Sequence, residues 1–467
     1  MTRAKIAGGA FATVLILLAV AAGYRAFNQD VHPSAVTSPA IAPSTAPAAA
    51  EPHPAAETYQ GFLYGRITTV DGATYEGRLR WGGDDEAFWD DSFNGTKHKN
   101  PWLAYIPPER RPRERHPIEI LGFRIAERES QSEVSRQLLA RFGEIARIEA
   151  RRREVRVTLK SGTLFNLDRF ETGDFDDGVR VWDGRRGVVY LDSLRIRTIE
   201  LLPTPPLGAM PSRLHGTVRT RQGDFTGFIQ WDREECVGLD ELDGHTADGK
   251  LSHLRFDTIR SIARRSRDSS LVTLLDGREI VLSGTAEVGH GNRGIYVDDP
   301  RYGRVLISWD VFERVDFSPG DSGPAYGDFP PGRPLMGSIT TRAGRRLAGR
   351  LVYDLDESET TDTLDAPSQG VDYTLPFGLI ASIVPPDREQ RARVTLHDGE
   401  ELRLERTGDL GEGNAGMLIF VDGRQRPEYV PWTDVEQVDL DRPPAMYPPL
   451  GGLDPGRKPA PELAPPD

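Results

Sequence analysis

Gly216-Thr217-Val218-Arg219-Thr220-Arg221-Gln222-Gly223, followed by Gly227-Phe228-Ile229-Gln230-Trp231, decides the fold, because the same pattern is written three times. The copy before it runs Gly65-Arg66-Ile67-Thr68-Thr69-Val70-Asp71-Gly72 and then Gly77-Arg78-Leu79-Arg80-Trp81. The copy after it runs Gly337-Ser338-Ile339-Thr340-Thr341-Arg342-Ala343-Gly344 and then Gly349-Arg350-Leu351-Val352-Tyr353. The first two glycines are seven residues apart in every copy. Alternating apolar residues on either side of a glycine read as strand, turn, strand. Self-similarity at a fixed period is the signature of a repeat architecture.

Working outward, each copy reaches an acidic turn: Asp91 to Gly95, Asp240 to Gly244, Asp362 to Ala366. Each then closes on three apolar residues spaced by three: Phe142, Ile145, Ile148; Phe256, Ile259, Ile262; Phe377, Ile380, Ile383. That spacing predicts one tight helical turn feeding a short final strand. A second unit follows, opening on Val157-Thr158-Leu159, Val272-Thr273-Leu274 or Val394-Thr395-Leu396. It ends on the same spacing: Ile196 and Ile199 after Ser193; Trp309, Phe312, Val315; Trp432, Val435, Val438. The fold expected is therefore all-β, in three tandem pairs of units of roughly 50 residues, six units in all.

The first unit resembles the small SH3-like and Sm-like barrels. The resemblance rests on a strand, a Gly turn, a Gly-bent strand ending in an aromatic and an acid (Trp231-Asp232), and the apolar triplet. It implies small β-barrels. Sm-like proteins commonly bind RNA, but Lys+Arg 58 against Asp+Glu 71, net charge −13 and a sequence pI ≈ 5.3 lack the basic footprint of a nucleic-acid binder. No nucleic-acid partner is expected.

The flanks set the compartment. Arg3 and Lys5 precede an apolar run over 6–24, near the ~20 residues needed to span a bilayer as a helix. Two basic residues ahead of it place residues 1–5 in the cytoplasm and the bulk of the chain outside. Ala19-Val20-Ala21 fits a signal-peptidase site, so the segment is either a single membrane helix acting as signal anchor or a cleaved leader. Residues 25–58 form a Pro/Ala-rich spacer. Repeat 1 covers 59–201, repeat 2 213–317 and repeat 3 334–440, and 441–467 is a Pro-rich tail expected to be disordered. The mean hydropathy of −0.46 excludes a polytopic membrane protein. A single cysteine, Cys236, excludes an internal disulfide framework.

Repeat 1 carries an insertion over 96–141, read as α/β: a strand from Ile118 to Ile125 and a polar helix from Glu127 to Arg141. Insertions on repeat scaffolds often mark a binding face, while terminal repeats are also atypical simply because they cap. Its basic run Arg110, Arg111, Arg113 and Arg115, and the tryptophans Trp89 and Trp102 that flank its start without recurring later, are the candidate binding residues. Trp81, Trp231, Trp309 and Trp432 recur and are assigned to the core.

Candidate chemistry reduces to weak matches. Gly320-Asp321-Ser322-Gly323-Pro324 resembles the nucleophile segment of chymotrypsin-like proteases, but the matching histidine segment is absent, so an inter-repeat linker is expected. Gly289-x-Gly291-x-x-Gly294 and Gly411-x-Gly413-x-x-Gly416 match the dinucleotide fingerprint literally. Strand-like residues follow both, so bulged loops are expected. Acidic clusters (Asp84, Asp85, Glu86, Asp90, Asp91; Asp232, Glu234, Glu235; Asp354, Asp356, Glu357, Glu359, Asp362, Asp365) offer hard oxygen ligands suited to calcium, with solvated turns as the default. The nine histidines form no His-x-x-x-His pair, so no metal site and no cofactor are expected. The expected function is a non-enzymatic envelope scaffold with a protein partner. The rivals are a glycan or cell-wall binder using Trp89 and Trp102, and an enzyme or enzyme subunit working through Arg113, Arg115, His116 and Glu119.

Overall fold

A computed structural model describes residues 60–443, apart from 83–84, 91, 98, 107, 112, 121–122, 132–135, 173–174, 176–177, 206–210, 321–322 and 387–390; the side chains of 110, 113–131 and 171 also stand outside it. The segments expected to be an anchor and a spacer, and the tail beyond residue 443, therefore lie outside the described residues. No described helix is long and apolar enough to cross a membrane. Among the described residues the chain is all-β, with 54% of them in strands.

The first half of repeat 1 supplies β1 (Tyr64–Thr69), β2 (Thr74–Trp81), β3 (Ser92–Thr96), β4 (Arg113–Ile120), β5 (Phe123–Gln131), β6 (Gln137–Arg141) and β7 (Ile145–Ala150). Its second half supplies β8 (Glu154–Leu159), β9 (Leu164–Asp168), β10 (Val179–Asp183), β11 (Gly187–Leu191) and β12 (Ile196–Leu201). Repeat 2 gives β13 (His215–Thr220), β14 (Gly223–Gln230), β15 (Glu241–His245), β16 (Leu251–Arg255), β17 (Ile259–Ser266), β18 (Ser269–Leu274), β19 (Glu279–Ser283), β20 (Ile295–Asp299), β21 (Gly303–Ile307) and β22 (Phe312–Phe317). Repeat 3 gives β23 (Met336–Thr341), β24 (Arg346–Val352), β25 (Thr363–Ser368), β26 (Val371–Pro376), β27 (Ile380–Val384), β28 (Arg391–Leu396), β29 (Glu401–Glu405), β30 (Met417–Phe420), β31 (Glu428–Val430) and β32 (Val435–Leu440).

The two halves of a repeat do not close on themselves. In repeat 1 the sheet order is β11-β10-β2-β1-β12-β7-β8-β9, and a Lys97–Leu167 bridge adds the β3–β6 pair beyond β9. Number the strands of each half one to five, leaving out the β4–β5 hairpin. The order then contains the set 5-1-2-3-4 twice. Each set takes strands one and two from one half and strands three, four and five from the other. Repeat 2 repeats this pattern, with β15–β16 beside β19, and repeat 3 has the same eight-strand core. The closing strands β7 and β12 pair with each other, so neither half can leave without tearing the sheet.

The apolar triplets explain how the closing strands work. Phe142–Glu144, Phe256–Thr258, Phe377–Leu379 and Trp432–Asp434 are 3-10 turns, as the spacing predicts, and Ser193–Arg195 is another. The second step of three comes from a β-bulge. Ile145 faces Leu159 while Ile148 faces Val157, so one extra residue lets both isoleucines point inward. The same shift recurs at Ile259 and Ile380, and in β12, β22 and β32 where they meet β1, β13 and β23. Trp81 and Trp231 are fully enclosed and Trp309 is buried, as assigned, whereas Trp432 is only partly buried.

Gly65 pairs directly with Gly77, Gly216 with Gly227 and Gly337 with Gly349. A Cβ on any of them would run into a carbonyl of the next strand. These glycines permit close backbone approach, while Gly72 and Gly344 serve the turns, with φ of 85° and 75°.

The insertion departs from the sequence reading. Of its expected helix over Glu127 to Arg141, residues 127–131 belong to β5 and 137–141 to β6, and its expected strand from Ile118 to Ile125 is divided between β4 and β5. Along β6, exposed and buried positions alternate, which is the period of a strand and not of a helix. β4 and β5 form a two-stranded sheet of their own.

Candidate functional site

Repeat 1 meets repeat 3 along the insertion. Asn100 caps the short 3-10 turn Pro101–Tyr105 by accepting from Trp102 N at 3.0 Å, and its Nδ2 donates to the Leu355 carbonyl at 2.9 Å. Ile106 enters a small core with Val352, Leu355, Ala415 and Leu418. Trp102 lies partly buried beside Phe420, with ring centroids 6.2 Å apart. Arg136 donates to Asp354 Oδ1 at 2.7 Å, and Lys97 pairs with Asp356.

The receiving loop is built for tightness. Asp354 and Leu355 have φ of 47° and 54°, the two-residue turn that matches strand twist. Asp362 Oδ2 then accepts from the backbone N–H of Ser358 and Glu359 at 2.7 and 2.9 Å. Asp240 holds Cys236 and Val237 in the same way, and Asp90 holds Glu86. In repeats 2 and 3 the recurring acid of the turn is therefore a backbone clamp, while in repeat 1 the neighbouring Asp90 takes that place and Asp91 lies outside the described residues.

Six carboxylates of repeat 3, Asp354, Asp356, Glu357, Asp362, Asp365 and Asp409, gather here around Lys97 and Arg136. Burial, reinforced by Asp409 and Asp356, pushes the Asp354 carboxyl up to about 8 despite Arg136 and the Ala415 N–H. Burial, with the charge of Asp365, pushes Asp409 up to about 7 even though it accepts the Asp365 N–H. Burial and the same neighbours raise Glu357, whose Oε2 is shut off from solvent without a hydrogen-bond partner. Burial also lifts Asp362 to about 6, against the pull of Lys97.

Three adjoining hollows follow β6. A cleft of about 490 Å³ is lined by Lys97, Lys99, Trp102, Arg136, Phe165 and Asp356, among others. A hollow of about 170 Å³ shares Lys97, Arg136 and Asp356 with it and adds Leu139, Glu357 and Asp409. A third, of about 400 Å³, shares Gln137, Leu139 and Asp365 and reaches Glu144, Arg233 and Arg304, where all three repeats contribute.

The strand edge beside these hollows is open. β6 pairs with β3 on one side, and no other described strand pairs with it. Lys97 N donates to Arg136 O, so the alternation of an antiparallel ladder turns the backbone groups of Gln137 and Leu139 outward. Leu139 is 51% exposed. In repeat 3 the equivalent fourth strand, β26, is instead covered by β21 of repeat 2.

The predicted binding residues separate. Trp102 lines the cleft. Trp89 is no surface residue: it is 1% exposed, under the Arg213 guanidinium at 3.6 Å, with its carbonyl accepting from Arg304 at 2.6 Å. The ring belongs to the core of repeat 1, and repeat 2 closes over it through Arg213 and Arg304. Arg111 is exposed and donates to the Ile106 carbonyl at 3.3 Å. The side chains of Arg110, Arg113 and Arg115, and of His116 and Glu119, lie outside the described residues, as does Ser322. Both glycine-rich motifs run into strands, β20 and β30, so they are loops with no helix to hold a phosphate. Sequence reasoning missed Lys97, Arg136 and Leu139, whose meaning depends on which strand edge stays open. No family model, curated protein or solved structure matches the chain.

Proposed function

We propose that this chain is a non-enzymatic binding protein of the cell envelope. In this reading residues 6–24 anchor it in the membrane, the repeats stand outside the cytoplasm, and an extended, basic segment of a partner protein adds to the open edge of β6. The observation that carries it is the contrast between equivalent edges. β26 has a neighbouring strand laid against it, whereas β6 offers outward backbone groups and the exposed Leu139 beside a hollow. Strand addition at a free edge takes affinity from main-chain hydrogen bonds and specificity from alternating side chains. Asp354, Asp356, Glu357, Asp365 and Asp409 line that hollow and favour Lys or Arg on the incoming strand. The 5-1-2-3-4 strand sets support reading the repeats as SH3-like barrels with exchanged halves.

The test is selection from a random peptide library on the full-length chain in detergent. Enrichment of peptides with alternating Lys or Arg, and at least ~10-fold weaker binding to Leu139→Pro, are the expected results, since proline deletes an outward N–H. Binding unchanged by Leu139→Pro would remove the edge from the reading. Trp102 in the 490 Å³ cleft favours a second reading, a glycan ligand. In that case Trp102→Ala abolishes binding of cell-wall fragments and Leu139→Pro leaves it intact.

A further inference from the structure

On the opposite side of the sequence repeat, repeat 2 gathers three potential metal ligands that no spacing rule connects. Asp243 on β15 lies directly across from His253 on β16, and Glu241 is two residues earlier on the same face of β15. His253 Nδ1 is 2.6 Å from Asp243 Oδ1 and 3.8 Å from Glu241 Oε2. One ligand atom from each of the three falls within 4.8 Å of the others. Ligands on a tetrahedral zinc ion with bonds of about 2.0–2.1 Å stand roughly 3.3 Å apart, so small side-chain rotations suffice.

The surroundings leave these groups to one another. Arg255 is the cross-strand neighbour of Glu241, but its guanidinium is taken by Asp257. Glu241 and Asp243 thus place two carboxylates side by side, with a single imidazole between them. The backbone of Asp243 is fixed on both sides: its N–H donates to Glu287 Oε2 at 2.7 Å, and its carbonyl accepts from Thr285 Oγ1 at 2.7 Å. Glu287 adds further negative charge nearby.

The other two repeats are internal controls. The same hairpin positions hold Ser92, Asn94 and Leu139 in repeat 1, where Asn94 pairs with Leu139. They hold Thr363, Asp365 and Thr374 in repeat 3, where Asp365 pairs with Thr374. Only repeat 2 carries an imidazole and two carboxylates on this face.

We propose that Glu241, Asp243 and His253 bind a divalent transition metal of the zinc class, with water completing the coordination. One nitrogen with two carboxylates suits zinc better than magnesium or calcium, which take oxygen alone. The solvent-facing position makes it an open site, able to accept a further ligand from a second molecule. The proposal is independent of the β6 edge.

The experiment is calorimetric titration of the full-length chain with zinc under excess magnesium, repeated with cobalt and read by visible absorption. Wild type is expected to bind one zinc per chain saturably. His253→Ala and Asp243→Asn are each expected to weaken it by ~10-fold or more and to remove the tetrahedral cobalt bands. His290→Ala, an exposed histidine elsewhere in repeat 2, is expected to change nothing. Zinc binding that survives His253→Ala and Asp243→Asn undiminished, or the absence of any saturable one-to-one binding in wild type with its native strand signal intact, overturns the assignment.

Discussion

Repeat 1 touches its two neighbours through seams of opposite electrostatic character. Against repeat 2, Asp298 lies between Arg213 at 2.8 Å and Arg304 at 2.9 Å, all three nearly shut off from solvent. Burial alone would raise the Asp298 carboxyl, but Arg304 and then Arg213 outweigh it and hold it well below the usual carboxylate range. Against repeat 3, Asp354, Asp356, Glu357 and Asp409 share Arg136 and Lys97, and burial wins, raising Asp354, Glu357 and Asp409. The first seam is closed: within repeat 2 the two guanidiniums share Asp298, and they meet repeat 1 at the Trp89 ring and carbonyl. The second has acid in excess and borders open hollows, which is where the proposed cationic segment would gain most. On the proposed reading, the first seam is a structural junction and the second, with its excess of acid, is the binding one.

The comparison can be broken most forcefully at Asp298. Asp298→Ala leaves two buried guanidiniums without their partner and should cost about 3–5 kcal/mol in urea unfolding. A loss under about 1 kcal/mol would mean that the buried charge cluster behind the first seam contributes little to holding it. Arg136→Ala is expected to cost less, about 1–2 kcal/mol near pH 6, because Asp354, raised to about 8, already holds its proton there and leaves no buried charge behind.

The pH dependence sharpens the contrast. Carboxyls raised in the folded state stabilise fully below their unfolded values near 4, and that contribution is lost as pH rises through the folded values of about 7 and 8 for Asp409 and Asp354. Hydrogen exchange of Leu355 to Asp362 should therefore accelerate from pH 5 to 9, after correction for intrinsic rates. Asp298, lowered in the folded state, contributes above about 3.9 and loses it only as pH falls toward its folded value. The backbone around Asp298 should thus be steady over the same range. The smallest effect expected is Trp102→Ala, which removes a partly buried ring and should shift the melting temperature by only a few degrees. Trp89→Ala, by contrast, empties a closed site and should cost about 3–5 kcal/mol.

How much could be read beforehand follows the range of the interactions. Glycine pairs, turn glycines and the 3-10 turns at Phe142, Phe256 and Phe377 are local, and their residues announce them. The bulges after Ile145, Ile259 and Ile380 were implicit in a step of three, since a strand without a bulge needs steps of two. The exchange of strands between halves leaves no local trace, because β12 is as apolar on its inner face whether it closes on β1 or β8. Glu127 to Arg141 misled because charged residues suit an exposed helix and a two-stranded hairpin alike. Trp89 and Trp102 look equivalent in the chain, yet the first joins the core of repeat 1 and is capped by Arg213 and Arg304. Asp243 and His253 are ten residues apart, a spacing that becomes a pair only once the hairpin register is known.

The most direct measurement is in-cell photo-cross-linking from a photoreactive residue at position 139, with position 251 on the outer edge of β16 as control. A discrete adduct from 139 alone, whose cross-linked segment sequences as an extended, Lys- or Arg-bearing stretch of a partner, is the predicted result. No adduct at 139, or the same adducts from both positions, would contradict the assignment of the β6 edge as the binding site.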